Sequence, residues 1–225
     1  TDGGATWTII DDRSRGGGGN ATAYSVFQDA NKNLYVAGNL RDTNNWNLCT
    51  VLKSTNLGAA WSAVDAWRDG LGNSCSALYD LTQDLEGRIY SVGANWLNAE
   101  SIGRWLVRRI SGDAATNTGS ELADTYSLGG ATQESVAYSI DSDAFGHLYV
   151  AGFANNSSGL NNWITRKSPD GGNSWMTSDQ YQKSPYKNSA AYRIRKDLRG
   201  NMWATGFGTR QTGYMSAVIR KLACE

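Results

Sequence analysis

Apolar and polar residues alternate along this chain in short stretches, with a period of two rather than 3.6. The clearest stretch reads AYSIDS over residues 137–142, and a turn at 143–146 separates it from LYVAGF at 148–153. Alternation over four to eight residues is typical of half-buried β-strands. Two more strands are predicted, over residues 161–167 and from Trp175 to about Tyr181, so this stretch indicates four antiparallel strands.

The same pattern occurs four times. Each copy has a Tyr, an Asp five residues later and an apolar run that ends in Gly. The tyrosines are Tyr24, Tyr79, Tyr138 and Tyr192, the aspartates are Asp29, Asp84, Asp143 and Asp197, and the glycines are Gly38, Gly93, Gly152 and Gly206. The aspartates are 55, 59 and 54 residues apart, and the step through both termini is 57 residues. A period of this length indicates a propeller or another repeat array.

Four strands in each of four repeats predict an all-β fold, a β-propeller of four four-stranded antiparallel blades. The single domain spans residues 1–225, with blades at about 20–70, 75–130, 135–185 and 188–225 plus 1–12. The last repeat supplies three strands, so the segment around residues 8–10 is expected to be its fourth strand and to close the ring, which would remove exposed sheet edges. Two alternatives stay open, a piece of a longer array and exchange of the terminal strand between two chains.

Composition narrows the class of partner. The formal net charge is zero and 19% of the residues are charged, so the chain has no electrostatic footprint for nucleic acid or an anionic membrane surface. No apolar run reaches 18 residues, and a membrane-spanning helix is therefore not expected. Nine Trp, eleven Tyr and 26 Gly against two Pro are typical of short strands joined by tight turns.

One motif has a recognisable spacing, S-x-D-x-G-x-x-W. It is complete once, and the start of the chain repeats it without the leading Ser; the residues are Ser168, Asp170, Gly172 and Trp175, then Asp2, Gly4 and Trp7. Residues 54–61 are a weaker copy with Asn in place of Asp. The motif resembles the Asp box, the hairpin of bacterial neuraminidase repeat proteins. This resemblance implies a propeller in which Asp boxes are structural hairpins at the blade periphery, because Asp accepts hydrogen bonds from turn amides.

The resemblance implies a fold but no single activity, because sialidases, other glycoside hydrolases, sorting receptors and secreted proteins share it. A sialidase would carry an arginine triad, a Tyr–Glu pair and usually Arg-Ile-Pro, whereas the nearest string here is Arg-Ile-Arg at 193–195. Acidic residues in the loops are few, mainly Asp42, Glu100 and Glu134. We therefore expect a non-enzymatic, secreted or surface-displayed module that binds carbohydrate or a protein partner. A scaffold without a ligand and a sialidase-like hydrolase are the alternatives.

Loops between the second and third strands differ most among the repeats and are the predicted ligand site. Their aromatic side chains suit stacking on sugar rings, and their amides suit hydrogen bonds to hydroxyl groups. The candidates are Trp46, Trp96, Trp105, Trp163, Asn44, Asn45, Asn161 and Asn162. An alternative places Trp105 and Trp163 in the core between blades, because they align with Cys49 and Ala217.

The cysteines bear on the compartment. A Cys49–Cys75 disulfide would indicate an exported protein, and two buried free thiols are the alternative. Cys224 is expected to be unpaired or to link chains; otherwise the chain is expected to be a monomer. No Cys-x-x-Cys or Cys/His pair occurs, so neither a metal nor a cofactor is expected. His147 is expected in a surface turn, with no second histidine available for a nucleophilic triad.

Two further patterns receive structural interpretations. Basic pairs recur on the third strands, at Arg108-Arg109, Arg166-Lys167 and Arg220-Lys221, with a single Lys53 in the first repeat. They are expected to point outward along apolar surface or to pair with turns, with an anion site as the alternative. Residues 29–33 are expected to form a hairpin turn and not a calcium loop, because the Gly and Glu that such a loop requires are missing.

Overall fold

The structure is a computed structural model that describes residues 5–13, 20–41, 44, 46–68, 75–97, 102–110 and 120–222. Its described residues form β-strands joined by turns and loops. The strands are β1 (Thr22–Gln28), β2 (Leu34–Arg41), β3 (Asn47–Ser54), β4 (Ser62–Trp67), β5 (Cys75–Gln83), β6 (Ile89–Leu97), β7 (Ile102–Ile110), β8 (Glu121–Asp124), β9 (Ser135–Ser142), β10 (Leu148–Asn155), β11 (Asn161–Ser168), β12 (Met176–Tyr181), β13 (Ser189–Lys196), β14 (Met202–Thr209) and β15 (Met215–Lys221).

These strands form four antiparallel sheets in which each strand pairs with its neighbour in sequence. The first sheet is β1–β4, the second β5–β8, the third β9–β12, and the fourth has three strands, β13–β15. The predicted all-β class is therefore confirmed. Consecutive sheets pack face to face in chain order, as the blades of a propeller do.

The expected closing strand is not present in the structure. Residues 8–10 are described and form no strand, and they lie beside the first sheet instead of completing the fourth. Arg13 Nη2 donates a hydrogen bond of 2.8 Å to the carbonyl oxygen of Trp61, and this contact fixes the segment on the first sheet. Trp7 is 92% exposed and packs under no turn, while Asp2 and Gly4 lie outside the described residues.

The hydrophobic core lies between the sheets. Tyr35 and Val51 of the first sheet face Leu81 of the second, and the same pattern recurs between the later sheets. Cys49 and Cys75 form a disulfide that joins the first two sheets, with their Cα atoms 5.2 Å apart. The sheets are thus held mainly through apolar side chains, with one covalent link.

The repeated Tyr and Gly have a common structural cause. In every repeat the Tyr is the extra residue of a β-bulge in the inner strand, where the register with the next strand shifts. The Gly stands opposite this bulge. A Cβ atom there would overlap a carbonyl oxygen of the inner strand, and the carbonyls are those of Thr22, Ala77, Val136 and Ala190. Only glycine permits this close approach, which explains why the Gly recurs.

Three arginines of the third strands link neighbouring sheets, so the expectation that these residues point outward is wrong for Arg108, Arg166 and Arg220. Arg109 donates to Gly171 and Asn173 in a turn of the neighbouring sheet, as the expectation allowed. Arg108 and Asp65 form a buried bidentate ion pair, with N–O distances of 2.5 and 2.9 Å. The pairs Arg166–Asp124 and Arg220–Asp179 repeat it at the next two interfaces. Each guanidinium also lies over an aromatic ring of the preceding sheet; the rings are those of Trp67, Tyr126 and Tyr181. The lysines that follow lie over aromatic rings of their own sheets, as a surface position allows.

The hairpin turns at one end of the sheets are built on buried or hydrogen-bonded aspartates. Asp29 accepts hydrogen bonds from Asn33 and from the Tyr35 hydroxyl, as a hairpin turn requires. His147 takes the place of Asn33 in the third repeat, where its Nδ1 lies 2.8 Å from Asp143 Oδ2. Among the described residues no cluster of His, Cys, Asp and Glu is arranged to hold a metal, and no helix there is long and apolar enough to cross a membrane.

The hairpins at residues 54–61 and 168–175 have the hydrogen-bonded geometry expected from their spacing. Ser168 Oγ donates to Asp170, and Asp170 accepts hydrogen bonds from the backbone amides of Asn173 and Ser174. Trp175 Nε1 donates back to the carbonyl of Gly172. The weaker copy folds in the same way, because Asn56 Oδ1 accepts from Ser54 Oγ and from the Ala60 amide.

Candidate functional site: the tyrosine ridge

The four repeated tyrosines form a continuous row across the sheets, which we call the tyrosine ridge: Tyr24, Tyr79, Tyr138 and Tyr192. Consecutive ring centroids are 5.1, 5.6 and 5.3 Å apart, within the range of direct aromatic contact. The ridge crosses the inner strands near their middle, five residues before the aspartate turns, and we call the side of the ridge towards the strand starts the tyrosine end. Each β-bulge aims one ring out of the regular alternation of its strand, so the row is a product of the repeat.

Two phenylalanines flank the last two rings of the ridge. The Phe153 ring lies 5.9 Å from that of Tyr138, and the Phe207 ring lies 5.7 Å from that of Tyr192. Tyr24 and Tyr192 are about half exposed, whereas the central rings are more enclosed. This surface therefore offers aromatic rings to a ligand without a deep pocket.

Glu134 is the carboxylate beside the ridge. It directly precedes β9, and its carbonyl accepts a hydrogen bond of 2.8 Å from the Asn155 amide, which fixes the backbone. Oε1 lies 3.4 Å from the position that a Cβ atom of Gly103 would occupy, so the carboxylate is held over the start of β7. Within the described part of the chain no donor is hydrogen-bonded to this carboxylate, and burial raises its pKa above 4.5.

The charge of Glu134 helps to raise the pKa values of the neighbouring phenols Tyr79 and Tyr138. Burial raises the pKa of Tyr138 to about 12, and the nearby Tyr79, Tyr192 and Glu134 raise it further in the same direction. The pKa of Tyr79 is also raised, mainly by burial. These phenols therefore stay protonated near neutral pH and can donate hydrogen bonds.

A second carboxylate, Asp80, lies next to the ridge and joins all four sheets. Its oxygens accept hydrogen bonds from Ser25 Oγ at 3.2 Å, Ser139 Oγ at 2.7 Å and the Ile140 amide at 3.1 Å. Arg195 of the fourth sheet binds it in a bidentate manner, at 2.8 and 3.1 Å. Asp80 is buried and hydrogen-bonded on both oxygens, so it holds the inner strands together and is not open to a ligand as Glu134 is.

Several predicted ligand residues are in the core. Trp105 is 1% exposed and Trp163 is not exposed at all, and their rings pack edge-on against Tyr126 and Tyr181. The prediction that these two tryptophans bind a ligand is wrong, because their strand positions aim them between sheets. Asn162 is also buried, and its side chain donates to the Leu160 carbonyl.

The remaining predicted residues are at or near the surface where the structure describes them. Trp96 is 40% exposed at the end of β6, and the half-buried Trp46 lies under the guanidinium of Arg68. Asn44 is exposed, and the Asn161 amide donates to Asn188. Asn45, Cys224 and the loop acids Asp42 and Glu100 lie outside the described residues.

The sequence did contain a signal for the ridge. The Tyr is the first residue of the repeat, and its recurrence by itself indicates only a repeating architecture. A Tyr that recurs opposite an obligatory Gly indicates a bulge, and a bulge in an inner strand aims its side chain at the centre of the molecule. Glu134 is one of the few loop acids in the sequence, but nothing local predicts its partial burial, which depends on β7 and on the neighbouring tyrosines.

Solved structures with a similar fold include several enzymes named for their action on sugars and a Dyadobacter fermentans protein of unknown function. A Hadza microbial sialidase matches 88% of this chain and 43% of its own, with 14% identity and a TM-score of 0.62. The Penicillium chrysogenum α-L-arabinanase matches 89% and 66%, with 12% identity and a TM-score of 0.61. The Fusarium graminearum α-L-arabinofuranosidase matches 88% and 61%, with 10% identity and a TM-score of 0.57. No protein-family profile and no curated protein sequence matches the chain.

These similarities bear on the expected function, and their low sequence identity limits them to the fold. The expected non-enzymatic binding module is contradicted, because glycoside hydrolases and a sialidase are among the similar structures. At 10–15% identity the likeness shows the fold alone. The chain spans about three fifths of the length of the arabinofuranosidase and two thirds of that of the arabinanase.

Proposed function

We propose that this chain belongs to a carbohydrate-processing propeller, in which the tyrosine ridge binds a sugar and Glu134 acts as general acid. The observation that carries the proposal is the half-buried carboxyl group of Glu134, which no described donor neutralises and which lies beside two protonated tyrosines. A carboxylic acid with a raised pKa keeps its proton near the pH at which it must give it to a leaving group.

The ridge supplies the complementary binding surface. The aromatic faces stack on the C–H faces of a sugar, and phenol hydroxyls donate hydrogen bonds to its oxygens. The raised pKa of Tyr138, about 12, favours the phenol over the phenolate, so this tyrosine serves as a donor and a platform instead of a nucleophile. The similar folds of the arabinanase, the arabinofuranosidase and the sialidase support a glycan as ligand.

Hydrolysis of a panel of chromogenic glycosides, including α-L-arabinofuranosides and sialosides, tests the proposal. Glu134→Gln is expected to lower kcat by about 100-fold or more, because general acids contribute roughly 10²–10⁴ to the rate. Glu86→Gln is the matched control, since Glu86 lies in a hairpin turn at the opposite end and pairs with Arg88. Wild-type activity should fall as the pH rises through the raised pKa of Glu134.

Two results would contradict this function. One is the absence of turnover across the whole panel, and the other is full activity of the Glu134→Gln protein. Binding is measured separately by isothermal titration calorimetry, where Tyr138→Ala should weaken sugar binding. If the protein binds sugar but hydrolyses none of the panel, the ridge is a binding surface and Glu134 is not a general acid.

We further propose that the chain belongs to the Asp-box repeat proteins and is exported. The hydrogen-bonded hairpins around Asp170 and Asn56 support the first point, and the Cys49–Cys75 disulfide supports the second. Thiol titration of the unfolded, unreduced protein tests the disulfide. One reactive thiol is expected, from Cys224, and three would contradict both the disulfide and the export argument.

A further inference from the structure

The three interfaces between consecutive sheets use the same two faces. Each sheet presents what we call its trailing face to the following sheet, through residues such as Tyr35 and Val51 of the first sheet. It presents its leading face to the preceding sheet, through residues such as Leu81 and Ile89 of the second. The third and fourth sheets repeat this arrangement, so trailing-on-leading contact is the standard interface of the fold.

The first sheet has an uncovered leading face. Val26 occupies the position of Leu81, Ile140 and Ile194 in the inner strand, as its pairing with β2 shows. Val26 is 69% exposed, whereas its three equivalents are at most 4% exposed. The surrounding surface is apolar and includes Leu34, Val36 and Leu52.

The fourth sheet has an uncovered trailing face. Ile219 occupies the position of Val51, Val107 and Thr165 on the third strand. Ile219 is 70% exposed, whereas its three equivalents are at most 6% exposed. Trp203 is exposed on the same face, where the other repeats have a buried tyrosine. In the described part of the chain, this face and the leading face of the first sheet do not pack against each other.

Residues 8–13 pack against part of the leading face of the first sheet. Ile10 Cδ1 lies 3.0 Å from the position that a Cβ atom of Gly58 would take, in the Asp-box-like turn of the first sheet. In the third sheet the equivalent Gly172 has Ala123 as a neighbour, from the outer strand β8 of the preceding sheet. Ile10 precedes Asp11 just as Ala123 precedes Asp124, the aspartate that pairs with Arg166.

The segment therefore lies where the outer strand of a preceding sheet would lie. The spacing agrees, because Asp11 follows Trp7 by the same interval that separates Asp65 from Trp61 and Asp179 from Trp175. The described residues place no inner strands of such a sheet beside this segment. Within the same described residues the fourth sheet has three strands, which correspond to the inner three of the other sheets.

We propose that the two open faces bind each other between copies of this chain. The trailing face of β13–β15 in one copy docks on the leading face of β1–β4 in a second copy. Residues 8–13 of the second copy then form the outer strand of the first copy's fourth sheet. The occupant is a second copy because each copy carries both halves of the standard interface. Leu52 stands where the later sheets have Arg108, Arg166 and Arg220, so this interface lacks the ion pair and should be reversible.

Sedimentation velocity over a wide range of protein concentration tests the proposal, with Cys224→Ser in every protein to prevent disulfide-linked dimers. The starting protein should show a mass that rises with concentration. Val26→Glu and Ile219→Glu should each weaken association by at least about tenfold, because each puts an unpaired charge into an apolar interface. Leu198→Glu is the control, since Leu198 is fully exposed in a turn and lies on neither face.

A mixing experiment identifies the faces. The Val26→Glu protein keeps an intact fourth sheet and the Ile219→Glu protein keeps an intact first sheet, so their mixture should form a dimer that grows no further. A monomeric starting protein at all concentrations would overturn the proposal. Failure of the mixture to associate would overturn it too, as would dimers of either variant alone. Circular dichroism shows whether the variants fold, which the exposure of both positions favours.

Discussion

The two ends of the sheets treat carboxylates in opposite ways. At the hairpin end, Asp29, Asp143 and Asp197 each accept several hydrogen bonds. Burial raises the pKa values of Asp29 and Asp143, but the hydrogen bonds together outweigh it, and the pKa values of all three are lowered. At the tyrosine end, Glu134 accepts none from the described residues, and burial raises its pKa. A carboxylate that is fully hydrogen-bonded supports the fold, and one that is half-buried without a partner is available to a ligand.

The difference has a structural origin. The hairpin aspartates belong to the repeat, so each turn supplies the amides that they need. Glu134 lies in the connection between the second and third sheets, and its surroundings are carbon-rich: the tyrosine rings and Gly103. The hairpin end should therefore control stability, and the tyrosine end should control activity.

The largest effect on stability is expected from Asp84→Ala at the hairpin end. The Asp84 side chain is fully buried and accepts hydrogen bonds from the Arg88 amide, from Arg88 Nε and from the Tyr90 hydroxyl. Its removal leaves buried donors unpaired and should lower the free energy of unfolding by about 2–4 kcal/mol. Urea denaturation measures the change. Glu86→Ala in the same turn is the control and should change stability by less than about 1 kcal/mol, because its ion pair is exposed.

A smaller effect is expected from removing one hydroxyl at each end. The Tyr90 hydroxyl donates to Asp84 at 3.0 Å and contacts the Gly171 carbonyl at 2.7 Å, so Tyr90→Phe should cost about 1–3 kcal/mol. The Tyr138 hydroxyl has no hydrogen-bond partner within the described residues, and Tyr138→Phe should change stability by less than about 0.5 kcal/mol. The same denaturation experiment compares the two. Equal losses would show that the tyrosine end also carries structural hydrogen bonds.

The sequence predicted the repeat, the all-β class and the strand positions closely, because these follow from local patterns. Alternation, turn residues and the Tyr–Gly period are all readable within one repeat, and four copies reinforce one another. The structure extends the predicted strands by a residue or two at their ends, as with Ser135–Ser142 against the predicted 137–142.

Features that depend on contacts between sheets were not predicted. The first arginine of each basic pair forms an inter-sheet ion pair, and the sequence does not predict this, because partners such as Asp65 and Arg108 are 43 residues apart and nothing local connects them. Two of the tryptophans that the loop composition suggested as ligand contacts, Trp105 and Trp163, are core residues. Neighbouring positions on a strand point to opposite faces, so a loop's composition does not show which side a tryptophan takes. The placement of residues 8–13 also follows from a tertiary contact, between Arg13 and Trp61.

The smallest effect, and the most direct test of the contrast between the ends, is the pH dependence of single carboxyl groups. Hydrogen bonds from the Ser174 side chain and amide lower the pKa of Asp170 to about 2. Its contribution to stability is present above the unfolded pKa of about 3.8 and is lost as the pH falls through about 2. The pKa of Glu134 is shifted in the opposite direction, so its contribution to stability is complete below pH 4.5 and is lost as the pH rises through its raised pKa.

Carboxyl NMR titration should give a midpoint near 2 that Asp170→Asn removes and one above 4.5 that Glu134→Gln removes. Glu134→Gln should also make the protein slightly more stable at neutral pH, because it removes a desolvated charge. A Glu134 midpoint at or below 4.5 would show that an unseen donor binds this carboxylate, and the contrast between the two ends would fail.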